Sequence, residues 1–355
     1  VEIIKVLYRG ADILILDEPT AVLTPQETEK LFSVLRNMRA DGKSIVIITH
    51  KLNEVMAISD RVSVLRKGQF IATVNTSQTS PQQLTDMMVG HAVTLNIDRP
   101  EPKDPQDRLE VKGLTCLDGQ GVKVLDDVSF AAKSGEILGI AGIAGSGQRE
   151  LCEAIAGTHA PVDRAGEDLL GKTARQIHSI GVSMAFVPED RLGMGLVGSM
   201  GMTGNMMLKS YDKGNGFFTD AKPPRTLAQE IKEKLEVVTP SINTPVRKLS
   251  GGNVQKVLVG REIASGPAVL MAAYPVRGLD IHSSYTIYRL LNEQKEKGVA
   301  VIYVGEDLDV LLELCDRILV LCGGKVSGIV DGRTITKEEV GFLMTTHKGE
   351  GRGHD

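Results

Sequence analysis

Short apolar runs alternate along this chain with longer stretches in which apolar residues recur every three or four positions. The run at 13–16 has no polar alternation, which is typical of a strand buried on both faces. The next stretch predicts a helix over 24–40 that begins at an N-cap threonine and stops at Gly42. A strand at 44–49 and a helix at 52–58 follow. This alternation predicts an α/β fold with a mainly parallel sheet covered on both faces.

The same pattern returns later in the chain at a constant distance. Pro19 ends the segment ILILDEP and Pro275 ends VLMAAYP, an offset of 275 − 19 = 256 residues. Ser59 begins SDRVSVLRKG and Cys315 begins CDRILVLCGG, and 315 − 59 is again 256. Chance matches do not hold one register over so long a stretch. We therefore infer that the same half-domain occurs twice.

A segment of mixed charge that contains three prolines separates the two copies. Pro100, Pro102 and Pro105 lie in it, and this composition predicts a linker. The chain then divides into a partial first domain at 1–90, a linker at 91–108, a complete second domain at 109–346 and a disordered tail at 347–355.

The composition excludes several classes of protein. The chain has 355 residues, of which 42% are hydrophobic and 24% charged, and a formal net charge of -4. It has no basic surplus that would favour nucleic acid as the main ligand. No apolar run approaches the ~18–20 residues that span a bilayer, so we expect a cytosolic protein that reaches the membrane through a partner. Buried, reduced thiols are expected for the four scattered cysteines, Cys116, Cys152, Cys315 and Cys322.

A glycine-rich stretch heads a predicted helix near residue 250. Gly251 and Gly252 expose backbone N–H groups at the helix start, and Ser250 adds a hydroxyl donor. A plain glycine-rich turn is the alternative if these residues are taken alone. The buried strand predicted at 269–272, soon after the helix, favours a phosphate-binding role.

Two acidic residues follow the first apolar strand. Asp17 lies where a carboxylate at the strand end can hold Mg²⁺, directly or through water. Glu18 can orient or deprotonate an attacking water. His50 ends the next strand at the same edge of the sheet, where it can hydrogen-bond a γ-phosphate and the attacking water.

Together these motifs resemble those of the ABC ATPase family. LILDEPT at 14–20 is similar to its Walker B segment, LSGGN at 249–253 to its signature, and ITH at 48–50 to its switch histidine. Its phosphate loop is similar to Gly142-x-x-Gly145-x-Gly147. Three segments, FVPEDR, LSGGNVQK and PVRGLD, are particularly similar to the second domain of the tandem subunit of sugar and nucleoside importers.

The resemblance implies a P-loop NTPase sandwich, with one partial and one complete copy, that binds ATP and Mg²⁺ and hydrolyses ATP to drive import of nucleosides or simple sugars. It also implies transmembrane permease subunits as partners, an extracytoplasmic substrate-binding protein that acts through the permease, and a peripheral position at the cytoplasmic face of the cell membrane. Subtracting 256 from Leu249 gives −7, so the first domain's signature and phosphate loop are expected upstream of Val1. The chain alone is therefore expected not to hydrolyse ATP.

In this family, two domains share each ATP, and the residues here sort into two unequal sites. The first site would use Asp17 for Mg²⁺ and Glu18 and His50 for catalysis. The second domain would complete it with Ser250, Gly251, Gly252 and Asp280, all of which have the expected chemistry.

The second site would be degenerate. After Gly142, Gly145 and Gly147, Gln148 and Arg149 replace the usual lysine and hydroxyl residue. The 256-residue offset matches Ala273 with Asp17, Tyr274 with Glu18 and Glu306 with His50, and Glu189 lies at the Gln-loop position. All these losses fall on one site. The three glycines could still cradle a nucleotide that is never hydrolysed, so weak binding and no binding remain open alternatives.

A methionine cluster just after Glu189 has two interpretations. Flexible core packing is the commoner use of methionine. Their position after the Gln-loop favours a groove for a permease helix. The cluster consists of Met194, Met200, Met202, Met206 and Met207.

Three other functions compete with transport. A soluble tandem ABC ATPase acting on ribosomes or DNA usually keeps both sites and a long basic linker, unlike this chain. A regulatory ATP sensor without turnover would not need Glu18 and His50. A simple phosphoryl-transfer enzyme is disfavoured because the visible phosphate loop lacks its lysine.

Overall fold

The chain forms two compact units, Val1–Asn96 and Ile97–Asp355. The computed structural model describes residues 11–20, 23–49, 51–66, 68–90, 97–157, 161–163, 176, 183–211 and 220–346. The predicted tail at 347–355 lies outside these residues. The predicted linker is described from Ile97 onward, and this part belongs to the second unit.

The first unit alternates strands and helices as predicted. Its elements are β1 (Ile13–Asp17), α1 (Pro25–Ala40), β2 (Ser44–Ile48), α2 (Leu52–Ile58), β3 (Arg61–Arg66), β4 (Gln69–Asn75) and α3 (Pro81–Val89). β1 and β2 pair in parallel, whereas β3 and β4 pair antiparallel in a separate sheet. The α1 helix begins at a capping box, in which Thr24 and Glu27 satisfy each other's backbone N–H groups.

The second unit contains a six-stranded sheet, a three-stranded antiparallel sheet and seven described α-helices. Its strands are β5 (Asp107–Leu117), β6 (Lys123–Lys133), β7 (Ile137–Gly142), β8 (Pro161–Asp163), β9 (Met184–Val187), β10 (Val269–Ala273), β11 (Ala300–Val304), β12 (Arg317–Cys322) and β13 (Lys325–Asp331). Its helices are α4 (Gln148–Ile155), α5 (Met202–Met207), α6 (Lys222–Lys234), α7 (Gly251–Ala264), α8 (Ile281–Glu296), α9 (Leu308–Leu314) and α10 (Lys337–Thr345). The larger sheet has the order β13-β12-β7-β11-β10-β9, and only β13 runs antiparallel to its neighbour.

The internal repeat is confirmed at the level of individual residue pairs. Ile13 pairs with Ser44 in the first unit, and Val269 pairs with Ala300 in the second. The β3–β4 and β12–β13 hairpins carry their register shifts at matching places, after Val64 and after Val320. Each of these positions obeys the offset of 256 residues. Local sequence therefore specifies the same elements in both copies.

The face of the sheet that packs against helices is buried in both units. Leu14 of β1 packs in a small core with Phe32 and Leu35 of α1. Its counterpart Leu270 lies in the larger helix-side core of the second unit, with Leu291 of α8. The amphipathic helix pattern accounts for this face, because apolar residues of α1 and α8 recur at helical spacing.

The opposite face differs between the two units. In the first unit six apolar residues, four on this face of the β1–β2 sheet and two in the β3–β4 hairpin, are between 48% and 66% exposed: Ile13, Ile15, Val46, Ile48, Leu65 and Phe70. Their counterparts, 256 residues later, are Val269, Met271, Ile302, Val304, Leu321 and Val326, which all pack in or against one core. The prediction that β1 is buried on both faces is therefore wrong for the first unit. The covering layer of the second unit comes from β5, β6 and α4, and the described residues of the first unit include no such layer.

The amino-terminal segment of the second unit is anchored by buried polar groups. The Arg99 guanidinium donates hydrogen bonds to the carbonyls of Leu312, Cys315 and Gly332 at 2.8, 2.7 and 3.1 Å. The ammonium of Lys295 lies 2.8 Å from the carboxylate of Asp316, and both side chains are buried. This network fixes residues 97–100 to α9 and the end of β13.

All four cysteines are buried thiols, as the composition predicts. Burial raises the pKa of the Cys116 thiol to about 11, which keeps it protonated and unreactive at neutral pH. Within the part of the chain that the structure describes, no helix combines the length and apolar character needed to cross a membrane.

The unequal burial of the repeat makes a testable difference between matched positions. Met271→Ala should lower the free energy of unfolding by about 2–5 kcal/mol, because it removes a fully buried side chain from a packed core. Ile15→Ala, at the equivalent position, should change it by no more than about 0.5 kcal/mol, because that side chain is exposed. Denaturant unfolding of the whole chain, followed by circular dichroism, measures both. Equal losses would contradict the exposed face.

Candidate functional site

The loops at the carboxyl ends of four adjacent strands converge in the second unit. β7 leads into the glycine-rich loop, and Glu189, Tyr274 and Glu306 follow β9, β10 and β11. A cavity of about 290 Å³ lies at these strand ends and is lined in part by Arg149, Glu189, Ala273 and Tyr274. In open α/β sheets this edge is the usual place for a ligand.

The glycine-rich loop keeps the backbone of a phosphate-binding loop. Gly145 and Gly147 adopt left-handed conformations, with φ of 84° and 96°. A side chain at Gly147 would place its Cβ 2.5 Å from the carbonyl oxygen of Val124, so the close approach of β6 requires glycine there. The α4 helix begins at the next residue, and its first N–H groups face the loop.

The two side chains after this loop are engaged within the protein. The Gln148 side chain is buried, and its Nε2 donates a hydrogen bond to the Ile143 carbonyl at 3.1 Å. It covers Gly142, where a Cβ would lie 2.4 Å from the same nitrogen. The Arg149 Nε lies 2.7 Å from a carboxylate oxygen of Glu153, one helical turn away. Neither residue offers what a lysine and a hydroxyl residue supply to phosphate and Mg²⁺.

The residue after the strand has the same uncommon backbone in both units. Glu18 and Tyr274 have φ of 44° and 48°, a left-handed conformation that bulky residues rarely adopt. Their N–H groups donate to the Ile48 and Val304 carbonyls at 2.8 and 2.9 Å. Backbone strain of this kind clusters at functional sites. The conformation is therefore retained although the side-chain chemistry has changed.

The acidic chemistry at this strand end exists in the first unit only. Asp17 is the last residue of β1, and Asp17 and Glu18 are both exposed. In the second unit Ala273 has no polar side-chain atom, and burial, followed by the charges of Glu306 and Glu189, raises the pKa of the Tyr274 hydroxyl. A tyrosine in this state is no general base at neutral pH. His50 lies outside the described residues.

The signature residues lie together with Asp280. Ser250 is the N-cap of α7, and its Oγ accepts a hydrogen bond from the Asn253 amide at 2.8 Å. A Cβ at Gly252 would lie 2.7 Å from Ser283 Oγ, so this glycine allows α7 to approach the start of α8. Asp280 caps α8 by accepting a hydrogen bond from the Ser283 N–H at 2.9 Å.

Local hydrogen bonds stabilise the ionised form of the Asp280 carboxyl group. Burial favours the neutral carboxyl, but the hydrogen bonds from Ser283 outweigh it and lower the pKa of Asp280. The structure thus brings Ser250, Gly251, Gly252 and Asp280 together where α7 and α8 begin. The start of α7, which has no side-chain cap, suits an anionic group.

A basic residue at the strand ends was not predicted. Arg277 contacts Glu189, and its Nε lies 3.3 Å from a carboxylate oxygen of Glu306. Its guanidinium carbon lies 6.0 Å from the centre of the Tyr274 ring. The sequence contains a signal for it, because the 256-residue offset matches Arg277 with Ala21, just as it matches Glu306 with His50.

The predicted methionine cluster is divided by burial. Met202 and Met206 are buried in the main core, so their assignment to an exposed docking surface is wrong. The reason is the helical spacing of α5, which directs residues four apart to the same side. Met194 and Met200 are 44% and 41% exposed, and Met207 is half-buried.

Comparison with known protein sequences identifies relatives along the whole chain. The family model described as "ABC transporter" matches residues 125–275. The nucleoside import ATP-binding protein NupA of Lactococcus lactis subsp. cremoris is 39% identical over 353 residues, which cover 97% of this chain and 69% of that protein. The glucose import ATP-binding protein TsgD13 of Haloferax volcanii is also 39% identical, over 97% of this chain and 64% of that protein. The chain thus spans about two thirds of the length of these relatives.

Solved structures support the fold. The dimeric structure of a bacterial ABC transporter cassette superimposes with a TM-score of 0.56, covering 64% of this chain and 99% of that chain at 24% identity. At this identity the likeness shows the fold alone, and it confirms the ABC ATPase cassette predicted from the motifs. Together with the sequence relatives, it shows that this chain belongs to the ATP-binding proteins of ABC transporters, a family of ATPases.

Proposed function

We propose that this chain is part of the ATP-hydrolysing subunit of an importer for nucleosides or simple sugars, with one catalytic site and one degenerate site. The observation that carries the proposal is the pair Glu18 and Tyr274. Both adopt the same left-handed backbone at the end of a strand, yet one carries a carboxylate and the other a half-buried phenol. The names of the relatives, which import nucleosides, glucose or xylose, support the substrate class.

In the catalytic site Glu18 would accept a proton from the attacking water and His50 would hydrogen-bond the γ-phosphate. Asp17 would hold Mg²⁺, which neutralises charge on the phosphates when bound. No group of three or more acidic, histidine or cysteine side chains among the described residues could hold a metal ion. A single exposed carboxylate suits Mg²⁺, which takes one or two carboxylates and fills its shell with phosphate oxygens and water.

The second domain would supply the remaining groups of that site. The N–H groups at Gly251 and Gly252 and the Ser250 hydroxyl would bind phosphate oxygens, and Asp280 would orient the neighbouring helix start. Two domains share each ATP in this family, and we assign both sets of residues to one site on that basis. We propose that the strand ends of the second unit do not hold Mg²⁺, since Gln148 covers Gly142 and Ala273 has no ligand atom.

The partners of the subunit would be transmembrane permease subunits, which receive the substrate from an extracytoplasmic binding protein. This places the subunit at the cytoplasmic face of the membrane. We propose that the docking surface is formed by exposed apolar side chains near the methionines rather than by the whole cluster. These are Leu192, Met194, Val197, Met200 and Leu208, each between 37% and 44% exposed.

The one-site assignment predicts unequal effects of matched substitutions in the complete importer. Glu18→Gln should lower steady-state ATP turnover by about 10²–10⁴-fold, because it removes a positioned general base. Ser250→Ala should lower turnover in the same direction, because it removes a hydroxyl that completes the same site. Tyr274→Phe should have little effect, because this phenol cannot act as a base.

Phosphate release by permease-containing vesicles measures all three variants. A loss with Tyr274→Phe as deep as with Glu18→Gln would refute the assignment of one catalytic site. A harmless Ser250→Ala would refute the pairing of the signature with Asp17 and Glu18.

The docking surface makes a separate prediction. Met194→Asp combined with Met200→Asp should reduce sedimentation of the subunit with permease-containing membranes, because charges replace exposed apolar contacts. The melting temperature should stay within a few degrees of the wild type, since both side chains are partly exposed. Phe342→Asp, at an exposed position far along the chain, is the matched control. Equal membrane association of the double variant and this control would argue against the docking surface.

A further inference from the structure

One side chain, Arg277, joins the loops after three neighbouring strands of the second unit. Its guanidinium contacts the Glu189 carboxylate after β9 and lies 3.3 Å from the Glu306 carboxylate after β11. Arg277 itself follows β10 and lies beside the ring of Tyr274. A planar guanidinium with several N–H donors can hold two carboxylates at once, which an ammonium cannot do in a fixed geometry.

The matched positions of the two units differ in a coordinated way. In the first unit Asp17, Glu18, Ala21 and His50 carry a formal charge of −2 with a neutral histidine. In the second unit Ala273, Tyr274, Arg277 and Glu306 are together neutral, because the arginine and the glutamate cancel. The loss of two acids is thus accompanied by the gain of one cation and one acid, and these two form an ion pair. A set of side chains with a charge of −2 attracts a divalent cation, whereas the neutral set already includes a cation, Arg277.

Contacts of Arg191 connect Arg277 with the helix that carries the signature, α7. The guanidinium of Arg191 donates a hydrogen bond to the Arg277 carbonyl. Arg191 also lies against Gly251, where a Cβ would be 3.2 Å from its Nη1. Arg191 starts the π-helical turn Arg191–Gly195, in which Asp190 accepts hydrogen bonds from the Leu192 and Gly193 N–H groups. The loop after β10 is therefore connected with segment 188–195 and with the start of α7.

We propose that Arg277 is a resident cation that takes the structural role of a metal ion in the degenerate site. By bridging Glu189 and Glu306, it keeps the loops after β9, β10 and β11 together without Mg²⁺ or nucleotide. Through Arg191 it also steadies the N-terminus of α7. Arg277 is a positioning residue that would hold these loops in place beside the start of α7.

We call the ion pairs of Arg277 with Glu189 and Glu306 the clamp. Because its side chains are partly exposed, the clamp should respond to the ionic strength of the solvent. The side chains of Arg277, Glu189 and Glu306 are 52%, 36% and 35% exposed. Ion pairs of this kind are weak and are screened by salt, whose Debye length is about 3 Å at 1 M. The clamp should therefore hold the loops at low ionic strength and loosen at high ionic strength, while side-chain packing would be unaffected.

Amide hydrogen exchange of the whole chain, read by mass spectrometry in segments 188–195 and 249–254, tests the proposal. Arg277→Gln should accelerate exchange in both segments by roughly two- to fivefold at low salt, as expected for loss of a half-exposed ion-pair network. Arg277→Lys should give an intermediate rate, because the charge remains and the fork is lost. Arg289→Gln, which breaks the exposed pair with Glu293 on α8, is the matched control and should change neither segment.

Two further measurements distinguish a role of the Arg277 charge from a role of its side chain in packing. Sodium chloride at 1 M should accelerate exchange of the wild type in these segments and leave Arg277→Gln unchanged. Millimolar Mg²⁺ should slow exchange in Arg277→Gln, whose two carboxylates have lost their cation, and should not affect the wild type. Exchange that is insensitive to Arg277→Gln, to salt in the wild type or to Mg²⁺ in the variant would overturn the proposal, as would slowing of the wild type by Mg²⁺.

These measurements need no ATP turnover and use no residue of the proposed catalytic site. A failure of the clamp would leave the effects of Glu18→Gln and Ser250→Ala to be judged by themselves. Conversely, if the one-site assignment is refuted, the exchange rates of segments 188–195 and 249–254 still test the role of Arg277.

Discussion

The pairing of β7 with two parallel neighbours is the constraint on which the second unit depends. β7 is hydrogen-bonded to β11 on one side and β12 on the other, and its apolar side chains are fully buried on both faces. Backbone groups buried this deeply must be satisfied by neighbouring strands. The parallel order then brings the carboxyl ends of β7, β9, β10 and β11 to one edge. The glycine-rich loop and the residues Glu189, Tyr274 and Glu306 meet there as a consequence.

The same edge shows that backbone and chemistry are specified separately. Glu18 and Tyr274 share a left-handed conformation and equivalent hydrogen bonds, so the two units have the same backbone at this strand end although one side chain is acidic and the other is not. Gln148 and Arg149 are satisfied within the protein rather than by a ligand. Burial of an unsatisfied polar group costs free energy, and the hydrogen bond of the buried Gln148 side chain avoids that cost. The half-exposed Arg277 side chain forms ion pairs with Glu189 and Glu306.

The two units differ in the groups that they carry at their strand ends and helix starts. The first unit retains the exposed acids at its strand end, and the second retains the capped helix starts of α7 and α8. The second unit has in addition two complete cores, one on each face of its larger sheet. These cores support the helices that carry Ser250, Gly252 and Asp280.

The sequence by itself determined what depends on neighbouring residues and on the repeat. Helix α1 has the predicted N-cap at Thr24, and the elements of both copies keep the offset of 256 residues, because capping and periodicity act over a few positions. Only the tertiary structure decided what depends on distant residues. Ile15 is exposed while its counterpart Met271 is buried, because only the second unit has a layer over that face. Met202 is buried and Met200 exposed because α5 directs the Met202 side chain toward the main core, and Arg277 meets Glu189 across 88 residues of sequence. Such contacts form where strands and helices pack, and no local pattern records which residue will lie opposite.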